Sequence, residues 1–177
     1  MRIEGLYSPW AALAFGGNLG DPVAAFAAAL RGLRAHSGVT LGPLSSVYHT
    51  APWGKTDQPE FLNMAALVQT TLAPEDLLAF CLELERAGGR ERGERWGPRT
   101  LDIDILTYGE EAVDRPGLQL PHPRIAERAF VLAPLAEIAP DRVIGGQTIT
   151  ELLAAVIDDS IRRDEAATGR LNALLAD

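Results

Sequence analysis

The chain has one cysteine, Cys81, and one lysine, Lys55, in 177 residues. A single thiol excludes a disulfide framework and any zinc site built on paired cysteines. Cys81 falls in an apolar helical pattern, where a thiol is an ordinary packed core group. With lysine nearly missing, arginine supplies almost all the positive charge, and arginine suits fixed, multi-pronged contacts with phosphate. The formal net charge of -8 argues against a general nucleic-acid binder. No apolar run is long enough to cross a membrane. Trp10 to Phe15 is too short for a signal peptide and no basic segment precedes it, so the expected location is the cytoplasm, with no membrane association. The turn Gly16-Gly17-Asn18-Leu19-Gly20 lacks the Gly-Lys-Ser/Thr ending of a P-loop. It reads mainly as a tight turn, with lining a site as the secondary reading. No internal repeat and no low-complexity segment is present.

What remains is a chain with 47% hydrophobic residues, ample for a core. Its length suits a single domain over 1–177, with residues 1–9 as a frayed leader and 160–177 as a tail of uncertain structure, either a docked helix or partly mobile. Trp10 to Phe15 reads as a buried strand. Asp21 caps a helix that starts at Pro22 and runs to about His36. Val39 to Tyr48 is a second strand, open to interruption at Gly42-Pro43, and Phe61 to Thr70 a third. Pro74 to Ala87 is a second helix, with Leu77, Leu78, Cys81, Leu82 and Leu84 on its apolar face and Gly88-Gly89 at its end. Thr100 to Tyr108 is the next strand. The order β-α-β-β-α-β predicts an α+β, ferredoxin-like α/β sandwich: an antiparallel sheet with helices packed on it, plus C-terminal helical additions. Beyond it, Val113 to Leu120 predicts a hairpin and Pro121-His122-Pro123 a rigid turn. Arg128 to Ile138 predicts a helix bent at Pro134. Thr148 to Val156 predicts a helix opened by a Thr148/Glu151 capping box.

The chain is organised around Arg95-Trp96-Gly97-Pro98-Arg99-Thr100-Leu101-Asp102-Ile103-Asp104-Ile105-Leu106. Strand side chains alternate faces, so Asp102 and Asp104 point the same way with α-carbons about 6.6 Å apart, while Leu101, Ile103 and Ile105 point into a core. Paired carboxylates on a half-buried strand repel and are costly to desolvate, so something positive should compensate them. Arginines alone, or a divalent metal, would do so. Arg90, Arg92, Arg95 and Arg99 crowd the aperiodic loop just before the pair, which suits a lid over polyphosphate. Arginines bring anions and adjacent carboxylates bring hard cations; Mg²⁺-nucleotide supplies both. Phe61 and Asn63 share a strand face and together suit a flat heterocycle, although core packing for Phe61 and a strand-edge cap for Asn63 explain them from spacing alone. His122 is held between prolines where it could meet a phosphate. Phe130 by default is a core residue.

These motifs resemble those of the 6-hydroxymethyl-7,8-dihydropterin pyrophosphokinase family of the folate pathway, from about Ala11 to Pro140. Besides the central stretch, the Gly16–Asp21 turn, Thr50-Ala51-Pro52-Trp53-Gly54, Gln58-Pro59-Glu60-Phe61-Leu62-Asn63 and Leu120-Pro121-His122-Pro123-Arg124 agree with it in order. The resemblance implies a ferredoxin-like fold and transfer of pyrophosphate from ATP to the pterin hydroxymethyl group, releasing AMP. It implies that Asp102 and Asp104 bind two Mg²⁺ ions with ATP. Arg90 and Arg99 would neutralise the transferring phosphates. Glu85, Arg92, Arg95, Trp96, Ile105, His122 and Arg128 would line or flank the ATP site. Phe61 and Phe130 would sandwich the pterin, with Thr50, Trp53 and Asn63 reading its edge. A monomer is expected, acting on small-molecule substrates, with no nucleic acid and no membrane. Gly17 stands where many members have serine, and Leu82 and Pro123 stand where some members have nucleotide contacts. Two other readings remain at this level: a ferredoxin-like module that senses a nucleotide without chemistry, and a metal-dependent phosphohydrolase, for which no base volunteers.

Overall fold

The computed structural model describes residues 8–52, 54–89 and 97–177. It opens with β1 (Trp10–Gly17), α1 (Pro22–Ala35), β2 (Val39–Leu44), β3 (Tyr48–Thr50), β4 (Phe61–Thr70), α2 (Pro74–Ala87) and β5 (Asp102–Tyr108). With β10 (Arg162–Arg163), the main sheet runs β10-β3-β4-β1-β5, with β2 also on β4 and every pair antiparallel. Taking β2 and β3 as successive parts of one edge, this is the ferredoxin-like order.

Local chemistry explains the early elements. Asp21 caps α1 by accepting from the Ala24 amide, and Pro22 fills the first turn, where no N–H is needed. In α2, Pro74 does the same, with Glu75 and Asp76 at the positive end of the helix dipole. The strand expected over Val39 to Tyr48 is two strands. Pro43 has no N–H for the ladder, and the register slips between Leu41 and Leu44. Ser45 then bonds Ala65 with both its backbone N–H and its side-chain oxygen.

The sheet buries both faces. Leu13, Phe15, Leu101, Ile103 and Ile105 join the core formed with α1 and α2. Ala12, Ala65 and Leu106 join a second core. That core is closed by α3 (Ala129–Ile138) and α4 (Ile149–Ala155). Leu106 follows Asp102 and Asp104 onto that face by strand alternation. The β1–β5 register then slips between Ala12 and Leu13, leaving Leu106 without a cross-strand partner, and beyond this bulge the alternation shifts, so Tyr108 joins the first core instead. The expected bend at Pro134 does not end α3. Burial of Val131, Leu132, Pro134 and Leu135 carries the helix to Ile138 despite the lost N–H.

Between β5 and α3, β6 (Val113–Arg115) and β7 (Leu118–Leu120) form the expected hairpin, followed by a cis Leu120–Pro121 peptide and a 3₁₀ turn at Ile125–Glu127. After α3, the short pair β8 (Val143–Ile144) and β9 (Gln147–Thr148) leads into α4, whose Thr148/Glu151 capping box is present as expected.

At the start, Ser8 and Pro9 are not frayed: their carbonyls accept from Gln69 and Thr70 of β4. The tail also has a defined place. β10 (Arg162–Arg163) extends the main sheet beside β3, and α5 (Glu165–Ala176) buries Ala167 and Leu171 against the first core. Arg31 and Arg34 of α1 donate to the Leu174 and Leu175 carbonyls, which a helix C-terminus leaves without intrahelical partners.

Candidate active site

The site is built on one end of the sheet. Cross-strand register sets Asn63, Gly16 and Asp102 in one row, and Ala65, Ala14 and Asp104 in the next. The small residues of β1 lie between the amide on β4 and the carboxylates on β5, and they leave a floor. A Cβ on Gly16 would come 2.9 Å from the Asn63 side-chain oxygen, so the absent side chain keeps that floor open. Phe61, Asn63, Thr50 and Ala51 line one side of a cavity of about 300 Å³. Asp102, Asp104, Arg99, His122, Arg128, Phe130 and Val131 line the rest. Asn63 is buried and donates to Thr50 Oγ1 at 2.6 Å, so its amide orientation is fixed.

Each carboxylate faces an arginine. Arg99 Nη1 is 2.6 Å from Asp102 Oδ2, and Arg128 Nη1 is 3.6 Å from Asp104 Oδ2. Burial pulls Arg128 below the usual arginine range, Asp104 acts in the opposite direction, and the side chain stays cationic at neutral pH. Arginines of two different segments thus lie against the aspartate pair. The Arg99 and Arg128 guanidiniums also lie 6.0 Å and 5.8 Å from the ring centres of Phe61 and Phe130 respectively, so cations flank both aromatic walls.

His122 is held by its own N–H on the Leu106 carbonyl, and its Nδ1 accepts from the Arg124 amide. Burial, then Arg128 and Arg124, push its pKa down to about 4, against Asp102. At neutral pH it is an uncharged imidazole with its proton on Nε2, a donor suited to a phosphate oxygen.

A second cavity of about 620 Å³ lies on the far side of Asp104 and His122, which border both. Ile103, Ile105, Leu78, Pro123 and the β6–β7 hairpin line it. An ion pair between Arg115 of β6 and Glu75 ties that hairpin to α2. Among the predicted residues, Ile105 and His122 meet here, while Thr50, Phe61, Asn63, Arg99, Arg128 and Phe130 meet in the first cavity. Pro123 is part of this wall. Glu85 lines neither cavity. It is 2% exposed beneath β5, where its carboxylate accepts from the Ile103 amide at 2.7 Å, between the two aspartates in sequence. Trp53, Arg90, Arg92, Arg95 and Trp96 lie outside the described residues.

Sequence reasoning passed over Ala14, Ala51 and Val131 as lining residues, and it left Asn18 inside a turn. Asn18 is a clamp. Its side-chain oxygen accepts from the Arg99 amide at 3.0 Å, its amide nitrogen donates to Gln58 and to the Pro59 carbonyl, and its own backbone N–H donates to the Arg99 carbonyl. Loops from three parts of the chain are joined at one side chain. The only local signal was an asparagine within a glycine-rich turn. Gly17 has a steric reason of its own: a Cβ there would lie 2.5 Å from the Thr100 carbonyl oxygen. Any side chain at Gly17 would require this backbone to shift.

The donor set suits a hard divalent cation, since Asp102 and Asp104 offer only carboxylate oxygens. Among the described residues no group of three or more His, Cys, Asp or Glu side chains is placed to hold a metal. Two carboxylates suit a cation that completes its shell with phosphate oxygens and water.

Residues 12–140 match the family model of 7,8-dihydro-6-hydroxymethylpterin-pyrophosphokinase (HPPK). The chain is 50% identical over 153 residues to the 2-amino-4-hydroxy-6-hydroxymethyldihydropteridine pyrophosphokinase of Methylorubrum extorquens, covering 86% of this chain and 97% of that one. It is 45% identical over 152 residues to the enzyme of the same name from Pseudomonas aeruginosa, covering 85% and 94%. It is 47% identical over 126 residues to that of Bacillus subtilis, covering 71% and 75%. A crystal structure of an HPPK-DHPS in complex with substrates superposes with a TM-score of 0.70 at 12% identity, covering 89% of this chain and 46% of that chain. Wild-type Plasmodium falciparum HPPK-DHPS gives 0.68 at 14% identity, covering 88% and 48%. At such identities the likeness shows the shared fold, and this chain spans about half the length of those proteins.

Proposed function

The chain belongs to the 7,8-dihydro-6-hydroxymethylpterin-pyrophosphokinase family and is a pyrophosphokinase of folate synthesis; we propose that it uses Mg²⁺-ATP and 6-hydroxymethyl-7,8-dihydropterin, giving the pterin diphosphate and AMP. The hydroxymethyl oxygen bonds to the β-phosphorus of ATP as the bond from that phosphorus to the AMP oxygen breaks, and the hydroxyl proton is released. One observation carries this reading: a cavity with aromatic and amide walls and a larger one meet at Asp104 and His122, with Asp102 beside them. A flat heterocycle on one side and a nucleotide on the other would bring hydroxyl and phosphate together at the carboxylates, and such transfer needs mainly alignment and charge neutralisation.

In this mechanism Phe61 and Phe130 hold the pterin ring, and Asn63 and Thr50, with Trp53, read its polar edge. Arg90 and Arg99 offset charge on the transferring phosphates. Arg128 and the uncharged His122 bind phosphate oxygens; Arg92, Arg95, Trp96 and Ile105 hold the nucleotide, and Glu85 supports β5 beneath it. Asp102 and Asp104 would hold two Mg²⁺ ions, which supply phosphate charge neutralisation when bound with ATP. Action as a monomer on small-molecule substrates completes the proposal, and an ATP supply fits the cytoplasm. No described helix is long and apolar enough to cross a membrane.

The test is AMP formation from Mg²⁺-ATP with and without the pterin. Pterin-dependent AMP is expected. ADP in its place would mean a simple kinase, and tight nucleotide binding without turnover would mean a sensor.

A further inference from the structure

The segment after α4 lies beyond the residues that match the family model, 12–140. It has its own place in the sheet. β3 is only Tyr48–Thr50, and one side of it pairs with β4, the strand that carries Phe61 and Asn63. Without the tail the other side would be an open edge, and so short a strand orders poorly alone. The tail covers that edge. Arg162 and Arg163 pair with His49 and Tyr48. At one end of β3, both backbone groups of Val47 are taken: its carbonyl accepts from the Asp164 amide at 2.8 Å, and its amide donates to Thr168 Oγ1 at 2.9 Å. At the other end, the Ala51 amide donates to Ser160 Oγ at 3.2 Å.

Asp164 joins these contacts. One carboxylate oxygen accepts from the Ala167 amide and caps α5. The other lies 2.7 Å from His49 Nε2. The opposite nitrogen of His49 is 3.5 Å from Glu60, which is also bridged by Arg162. The next residue along β3 from His49 is Thr50, 1% exposed, whose oxygen fixes the Asn63 amide in the first cavity.

We propose that Asp164 is a positioning residue for the heterocyclic substrate: with Ser160 it clamps the outer edge of β3 and so sets the Thr50–Ala51 wall of the first cavity. This rests on the pterin assignment of that cavity. The nucleotide cavity takes no residue from β3, so the effect is confined to one substrate.

The test uses the full chain and two variants. Asp164→Ser keeps an N-cap oxygen but has none left for His49. Arg170→Ala breaks the ion pair between α5 and Asp21 of α1, far along the chain from β3. Steady-state constants for each substrate and hydrogen exchange over residues 47–51 are measured on both. For Asp164→Ser the pterin KM should rise about fivefold or more, with the ATP KM and kcat within about twofold, and exchange at 47–51 should quicken about tenfold. Arg170→Ala should leave both readouts unmoved. An unchanged pterin KM in Asp164→Ser, or an equal change in Arg170→Ala, would overturn the proposal. Ser160→Ala gives the same split in exchange and pterin KM should Asp164→Ser not fold. If the wild-type chain forms no pterin-dependent AMP, the proposed reaction fails, while the exchange comparison still decides whether Asp164 sets the wall.

Discussion

Arg99 Nη1 and Asp102 Oδ2 lie 2.6 Å apart, three residues from each other in sequence, and the same guanidinium faces the Phe61 ring at 6.0 Å. The arginine occupies a carboxylate proposed to hold a cation and touches the wall proposed to hold the pterin. Cation and arginine compete for Asp102, so binding of Mg²⁺-ATP would release Arg99 toward phosphate. Arg99→Ala should lower kcat about 100-fold, the range seen when one charge-stabilising donor is removed. The Mg²⁺ concentration for half-maximal rate should fall, because its competitor is gone. Pterin affinity dropping as much as kcat would contradict this.

Asp104 borders both cavities. Asp104→Ala should cost turnover about 1000-fold, roughly 4 kcal/mol of transition-state stabilisation. Turnover within about tenfold of wild type, measured by AMP release, would remove the carboxylate from the mechanism.

Glu85 holds β5 from below through the Ile103 amide. Glu85→Ala leaves that buried N–H without its acceptor and should destabilise the chain by about 1–3 kcal/mol. Glu85→Gln keeps an acceptor oxygen and should recover much of the loss. Urea unfolding of the pair checks this; equal losses would mean that the charge, rather than the hydrogen bond, matters.

His122 should make stability pH-dependent. Its folded pKa is lowered, to about 4 from 6.5, so the unfolded chain binds the extra proton between those values. Stability from this group is therefore complete above about 6.5 and is lost as pH falls toward about 4. Glu137 is also lowered: burial raises it, but hydrogen bonds from Tyr48 and Ser46 together prevail, so its contribution fades only below 4.5. Thermal unfolding across pH should show a loss between 6.5 and 4 that His122→Asn flattens; an unflattened slope would assign it elsewhere.

Gly17→Ala should destabilise by about 1–3 kcal/mol, because the new Cβ meets a backbone carbonyl rather than a movable side chain. Calorimetry reads this as a lowered Tm; an unchanged Tm would show that the end of β1 yields.

Most of the elements were legible in the residues. Pro22, Pro74 and the Thr148/Glu151 pair act within a single turn, so the helix starts could be placed from short windows. Period-two alternation likewise put Asp102 and Asp104 on one face and Ile103 and Ile105 on the other. The candidate site was legible only in part, because the pairing of Asp104 with Arg128 and the clamp at Asn18 join residues distant in the chain.

By itself the sequence determined the residue types and their local geometry: a paired-aspartate strand, an arginine-rich approach to it, and the β-α-β-β-α-β order that brings them to one sheet end. The tertiary structure alone decided that α3 and α4 close a second core on the sheet face of Leu106, that Glu85 lies under β5, and that the tail seals the edge of β3. Those outcomes depend on which surfaces meet after folding, and no local pattern of side chains specifies a partner more than a hundred residues away, as Asp164 is from His49.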